Sequence, residues 1–184
     1  ALKLLPKGRY ELTEEQDSGP PWKVVVDISE REFVVDLRDN PEQHKGPFNM
    51  SRDEAIVSCQ IAFKGATSAE RVANSGTFKP LKVLTREGSI FDPAFPAPMG
   101  IYYEMTIRLE DLVTRCLAQS MPERLPAGGF ASVCGTLFGG IHADTGRPYT
   151  VIEPELGGWG GSSISDGNPG QFSALHGETY NCPA

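Results

Sequence analysis

The sequence has no apolar run approaching the roughly 20 residues that cross a bilayer as a helix. Its opening residues, ALKLLPKGRY, lack the apolar core and small-residue cleavage site of a secretory leader. The expectation is a soluble chain with no membrane partner. Charge of one sign is also never concentrated. The 17 Lys and Arg are scattered singly among 24 Asp and Glu, for a net charge of −7, so a polyanion finds no electrostatic footprint and nucleic acid is not an expected partner. Cysteine is sparse. Cys59, Cys116, Cys134 and Cys182 are far apart, form no C-x-x-C, and in two cases fall within predicted helices, which points to buried thiols rather than disulfides or a zinc site, and to the cytoplasm.

What is present fits an ordinary globular composition, with 39% hydrophobic, 22% charged and 9% aromatic residues over 184 positions. The chain begins at Ala1 on its way into a strand and ends at Cys182-Pro183-Ala184 straight after a polar, motif-like stretch. Residues 1–184 are therefore expected to be a single domain or the central fragment of a larger subunit.

Hydrophobic periodicity supplies the elements. Tyr10 to Glu14 suits a short strand. Lys23 to Ile28 and Glu32 to Leu37 are valine-rich and joined by Ser29-Glu30-Arg31, short enough for an antiparallel hairpin. Ser51-Arg52-Asp53-Glu54 reads as a capping box opening a helix whose Ile56, Cys59 and Phe63 form an apolar stripe, with Gly65 as its stop and the hairpin as its packing partner. Phe78 to Leu84 alternates as a strand that Pro80 places at an edge or near a bulge. Met105, Leu109, Leu112, Val113, Cys116 and Leu117 recur at helical spacing until Pro122 ends the run. Ala131 to Leu137 and Arg147 to Ile152 read as antiparallel strands around a loop from Gly139 to Gly146. The order predicts an α+β fold, an antiparallel or mixed sheet with two main helices packed on it.

Few residues carry obvious chemistry. The six glycines between Gly157 and Gly170 invite a phosphate-loop reading, but there is no G-K-[ST] and no G-x-G-x-x-G, so a structural loop or lid is the better reading. His142-Ala143-Asp144 has metal-ligand residue types in a predicted hairpin turn, where such residues are ordinary, and no metal site is expected there. His44 reads as a solvated loop side chain. Glu104, Arg108, Glu110 and Asp111 form i, i+3 and i, i+4 charge pairs on the second helix, a face expected to be solvated. Trp22 and Trp159 read as packing residues. His176, close in sequence to Asp166 and Glu178, has the residue type and neighbours of a general acid or base, although spacing alone favours a hydrogen-bonded structural histidine.

Several segments taken together resemble the hydantoinase B/oxoprolinase family. They are Asp36-Leu37-Arg38 followed by Gly46-Pro47-Phe48-Asn49, Asn74-Ser75-Gly76-Thr77-Phe78-Lys79-Pro80-Leu81, Gly88-Ser89-Ile90-Phe91-Asp92-Pro93, and Asp166-Gly167 with His176-Gly177-Glu178-Thr179-Tyr180-Asn181-Cys182-Pro183. The resemblance covers almost the whole chain, which corresponds to the central part of the family's much longer unit. The last motif departs from the family's usual H-x-H-M-T-N-T ending, because it has a single histidine and Glu178 stands where that pattern has methionine.

The resemblance implies one subunit of an ATP-dependent enzyme that hydrolyses cyclic amides such as hydantoins, N-methylhydantoin or 5-oxoproline. It also admits a carboxylase of ketones such as acetone and acetophenone, or a scaffold domain of such a complex with no catalytic group of its own. ATP and Mg would sit on a hydantoinase A-type partner subunit. A divalent metal would belong to a part of the subunit upstream of this stretch. By motif position His176, with Asp166 or Glu178, suits proton transfer, and Asn49, Asn74 and Asn181 suit polar recognition of a lactam or carbonyl.

Overall fold

The computed structural model describes residues 2–68, 72–132, 135–154 and 157–167. Its centre is a four-stranded mixed sheet in the order β1-β2-β3-β4. β1 (Gly8–Glu14), β2 (Trp22–Ile28) and β3 (Phe33–Asp36) run antiparallel, and β4 (Leu81–Leu84) joins β3 in parallel. The sheet is therefore the mixed alternative of the expected α+β architecture, with helices α1 (Arg52–Ser68) and α2 (Tyr102–Ala118) packed on it.

Register explains the core. Tyr10, Val26, Val35 and Val83 lie in one row across all four strands, and Ile28, Phe33 and Leu81 lie in the next. Because side chains alternate between faces, both rows project to the same side of the sheet. Their helical counterparts are Cys59, Ala62 and Phe63 on α1 and Leu109, Leu112 and Val113 on α2, all buried in the same cluster. Phe33 and Phe63 meet edge to face at 5.1 Å, the direct contact between the hairpin and α1.

The capping box closes as its residue types dictate. The Glu54 amide donates to Ser51 Oγ at 3.2 Å, and the Ser51 amide donates to Glu54 Oε2 at 3.4 Å. Gly65 does not end the helix. The chain runs helically through it to Ser68, because Ala66 and Thr67 beyond it are buried and Thr67 Oγ1 donates back to the Phe63 carbonyl. β4 is an edge strand as Pro80 requires, but it starts at Leu81. Phe78 to Pro80 form the preceding turn, and the Pro80 carbonyl accepts from the Phe33 amide at 2.8 Å.

The last two strands, β5 (Gly135–Ile141) and β6 (Pro148–Pro154), pair antiparallel as a separate two-stranded sheet. They differ from the expected bounds. Ala131 sits outside the strand at a φ of 53°, and Gly139 and Gly140 are paired within β5 rather than forming the loop. Gly140 lies opposite Tyr149, whose hydroxyl would crowd a Cβ at 3.1 Å and whose ring would at 3.2 Å.

Cys59 and Cys116 are buried free thiols, as expected, and burial pushes the Cys116 thiol up to about 11. Cys134 and Cys182 lie outside the described residues. Among the described residues no helix is long and apolar enough to cross a membrane.

Phe63→Ala should lower the free energy of unfolding by about 3–5 kcal/mol in denaturant titration. A loss below about 1 kcal/mol would show that the Phe33–Phe63 contact does not organise the core.

Candidate functional site

A cleft of about 1010 Å³ opens between the β1–β2 turn, the loop from residue 41 to 48, and the first half of α2. Trp22, Ile90 and Met105 give it an apolar lining, and Gln43, His44, Lys45 and Arg108 give it polar groups of several kinds. The volume lies at the upper end of the usual range for small-molecule sites, about 300–1,000 Å³.

Two buried asparagines hold the loop that forms one wall. Asn40 Oδ1 accepts from the Lys23 amide, and its Nδ2 donates to the Lys23 and Leu37 carbonyls. Asn49 is completely buried. Its Oδ1 accepts from the His44 amide at 2.7 Å, and its Nδ2 lies within donating distance of the carbonyls of His44, Gly46 and Pro98. The Asn49 amide thus ties a cleft loop to the proline-rich segment before α2 and is fully engaged with backbone. Arg86 adds a third tie, with Nη1 donating to Glu42 and Nη2 to the Asn40 carbonyl.

His44 is exposed, as expected, but not free in orientation. Its Nδ1 accepts from the Gly46 amide at 2.9 Å, and its ring meets Phe48 edge to face at 5.4 Å. In the neutral ring that bond assigns the proton to Nε2, making His44 a hydrogen-bond donor at the cleft.

On the opposite wall an ion network fixes Arg108. Glu14 of β1 accepts from Arg108 Nε at 2.8 Å and also from Arg115. Burial pushes the Glu14 carboxyl up, but the two guanidiniums outweigh it and hold the group below its ordinary value. Arg115 continues to Asp111 at 3.3 Å, and Asp111 Oδ1 accepts from the Gly129 amide at 2.7 Å. A single chain of charge-assisted bonds therefore runs from β1 through α2 to the segment after it.

This corrects the reading of the α2 charges. Arg108 pairs with Glu14 across the fold, and Glu110 and Asp111 are 6% and 5% exposed rather than solvated. α2 is buried on two sides. One packs on the sheet, and the other, with Ile107, Glu110, Asp111 and Thr114, lies beneath residues 126–131 and Trp159. Burial pushes the Glu110 carboxyl up to about 7, against a hydrogen bond donated by Thr114 and with help from the neighbouring Asp111. A second stripe at positions 107, 110, 111 and 114 was present in the sequence, concealed by its two carboxylates.

The glycine-rich loop explains itself by close approach. The Gly160 amide donates to the Gly128 carbonyl at 2.7 Å, and the Ala127 amide to the Gly161 carbonyl at 2.9 Å. A Cβ on Gly157 would fall 1.9 Å from the Phe130 ring, and one on Gly167 would fall 2.0 Å from the Trp159 carbonyl. The amides of Gly160, Ser162 and Ser163 already donate to carbonyls within the chain.

The remaining sequence candidates are dispersed. Asn74 is exposed in a turn, where its Oδ1 accepts from the Gly76 amide at 2.9 Å. Asp166 is exposed beside a separate hollow that also touches Glu123, Arg124 and Trp159. His176, Glu178 and Asn181 lie outside the described residues. His142 and Asp144 are exposed in the β5–β6 turn, where His142 Nδ1 accepts from the Asp144 amide. Trp22 packs edge to face on Phe91 at 5.4 Å while also lining the cleft.

Comparison with known proteins gives a consistent result. The family model for hydantoinase B/oxoprolinase matches residues 1–184. An uncharacterized protein of Methanocaldococcus jannaschii is 27% identical over 136 residues, which cover 73% of this chain and 23% of that protein. A putative D-/L-hydantoinase subunit of Pseudomonas sp. strain NS671 is 29% identical over 145 residues, covering 70% of this chain and 24% of that protein. The chain thus spans about a quarter of the length of these relatives. Among solved structures, the ATP-dependent caprolactamase of Pseudomonas jessenii superposes with a TM-score of 0.79 at 23% identity, over 94% of this chain and 32% of that one. A nucleotide-free acetone carboxylase superposes with a TM-score of 0.78 at 12% identity, over 94% of this chain and 26% of that one. At these identities the two superpositions show the shared fold.

Asn49→Asp replaces an amide NH2 that faces three carbonyls with a carboxylate oxygen that they repel. It should lower unfolding stability by about 1–3 kcal/mol and speed hydrogen exchange at the His44 and Gly46 amides. Unchanged exchange there would show that Asn49 does not shape the cleft wall.

Proposed function

We propose a function from one premise: the chain belongs to the hydantoinase B/oxoprolinase family. The parent subunit takes part in ATP-dependent hydrolysis of a cyclic amide, of the hydantoin, N-methylhydantoin or 5-oxoproline type, together with a hydantoinase A-type partner that binds ATP and Mg. The observation that carries the reading is the pairing of a chain-wide family match with a relative named as a hydantoinase subunit. The fold likeness to a caprolactamase, an enzyme of another cyclic amide, supports it.

The chemistry explains why nucleotide is needed. A lactam carbonyl is a weak electrophile, and ATP held by the partner subunit would activate it by passing its γ-phosphoryl group to the carbonyl oxygen, ADP leaving, so that phosphate can depart once water has added. A protein that handles such an intermediate has to exclude bulk water until ring opening is set up. The cleft offers an apolar floor at Trp22 and Met105 for the ring, and donors at His44, Lys45 and Arg108 for carbonyl oxygens. Arg108 is held in place by Glu14 before any ligand arrives, which reduces the entropy lost on binding.

His176, assisted by Asp166 or Glu178, is assigned proton transfer, and Asn181 polar recognition, on motif position alone. Asn49 contributes by shaping the loop that forms one wall of the cleft, since its amide bonds to backbone, and Asn74 keeps its recognition role on motif position alone. The acetone carboxylase likeness supports a second reading, ketone carboxylation, and a scaffold role for this part of the subunit is the third.

The test is the complete subunit reconstituted with its ATP-binding partner. Phosphate release should track ring opening of a hydantoin or lactam, and His176→Ala should lower kcat by about 10²–10⁴-fold. Loss of no more than a few-fold would remove His176 from the chemistry. Bicarbonate-dependent consumption of a ketone, with no ring opening, would favour the carboxylase reading.

A further inference from the structure

Behind the cleft wall lies a second, small hollow of about 10 Å³, lined by Glu110, Asp111, Thr114, Gly129, Ala131 and Trp159. Its volume is that of about one water centre. The Trp159 Nε1 atom is buried without a hydrogen-bond partner among the described residues, and Trp159 lines the same hollow as the buried Glu110. Ala131 lines both this hollow and the large cleft. It is also a residue with a Cβ held at a φ of 53°, in the left-handed region that costs an alanine energy and persists only where its surroundings enforce it. Two groups do the enforcing. Asp111 accepts from the Gly129 amide, and the Trp159 strip pairs with Gly129 as an isolated bridge.

We propose that Glu110, with Asp111 and the Trp159 indole, forms a proton-operated latch that holds residues 126–131 against α2 and so sets the position of one wall of the cleft. With Glu110 neutral, its neighbour in the hollow is Asp111, whose carboxyl burial also pushes up while the Gly129 amide and Arg115 favour its charged form. With Glu110 ionised, two adjacent carboxylates share a buried site in which Thr114 is the hydrogen-bond donor to Glu110. The covering segments bring Pro126, Gly129, Ala131 and Trp159 to the hollow, none of them ionisable. From β1, Glu14 adds negative charge on the far side of Arg115 and Arg108. The remaining charges, Glu123, Arg124 and Asp166, border the outer hollow on the other side of Trp159. Among the described residues no cation lines the hollow to neutralise an ionised Glu110, so the latch relaxes by letting water in.

The sign follows from the raised carboxyl. The latched state holds the Glu110 proton up to about pH 7, whereas an opened, hydrated Glu110 releases it near 4.5. Closure is fully favoured below the lower value and loses its advantage as pH rises through the upper one, by roughly tenfold per pH unit between about pH 5 and 7.

Hydrogen exchange of the whole chain, corrected for intrinsic rates, reads this directly. Protection of the Ala127 and Gly129 amides should fall roughly tenfold per pH unit across that window and then level off. Protection in β2 and α2 should stay constant. Glu110→Gln should flatten the dependence at Ala127 and Gly129. Protection at those amides that is independent of pH in the wild type would overturn the proposal without any variant, and so would an unchanged pH dependence in Glu110→Gln. Because the readout involves no substrate, failure of the latch and failure of the cyclic-amide reading are separately visible.

Discussion

Glu14 is the point at which this structure is tied together. A single half-buried carboxylate on the edge strand β1 receives both Arg108 and Arg115 from α2, and Arg115 passes the connection to Asp111 and the Gly129 amide. The interdigitated core seats α2 on the sheet, and the Glu14 bonds add directed contacts at the edge of that packing. Two guanidiniums converging on one carboxylate fix the helix in rotation and translation. The consequence reaches the cleft, because Arg108 lines it, and reaches the covering segment, because Asp111 anchors it. A buried carboxylate with only one of these partners would be costly to ionise. With two, its charged form is favoured below the ordinary carboxylate range.

The opposite wall uses a different device to the same end. Asn40 and Asn49 carry no charge, yet each satisfies backbone groups that the irregular 38–50 loop leaves unpaired. A loop without ladder bonds can be buried only if such groups find partners. His44 is then oriented by the Gly46 amide on a backbone that Asn49 has already set. The cleft is therefore bounded by an ionic wall and an amide-bonded wall, both formed within the chain.

Much of this was legible in the sequence. Valine alternation gave β2 and β3 to within a residue, Ser51 and Glu54 gave the start of α1, and Pro80 placed β4 at an edge, because each signal rests on local geometry that tertiary contacts did not override. Gly65 misled, since burial of Ala66 and Thr67 outweighs the roughly 1 kcal/mol that glycine costs a helix. Glu110 and Asp111 misled more seriously. Helical periodicity shows which face of α2 is apolar, but not that a second segment, residues 126–131 with the Trp159 loop, returns to cover the other face. Motif position assigns Asn49 to ligand recognition, and in the fold its amide also bonds to loop backbone. Sequence separation concealed the partner at Pro98, 49 residues away.

The central claim is that a cyclic amide sits in the cleft between the His44 loop and α2. A crystal structure of the complete subunit with its ATP-binding partner, soaked with a hydantoin, tests it most directly. The account predicts ligand density against Trp22 and Met105, with a carbonyl oxygen within hydrogen-bonding distance of His44, Lys45 or Arg108. Density at a site to which this chain contributes no residue would contradict it.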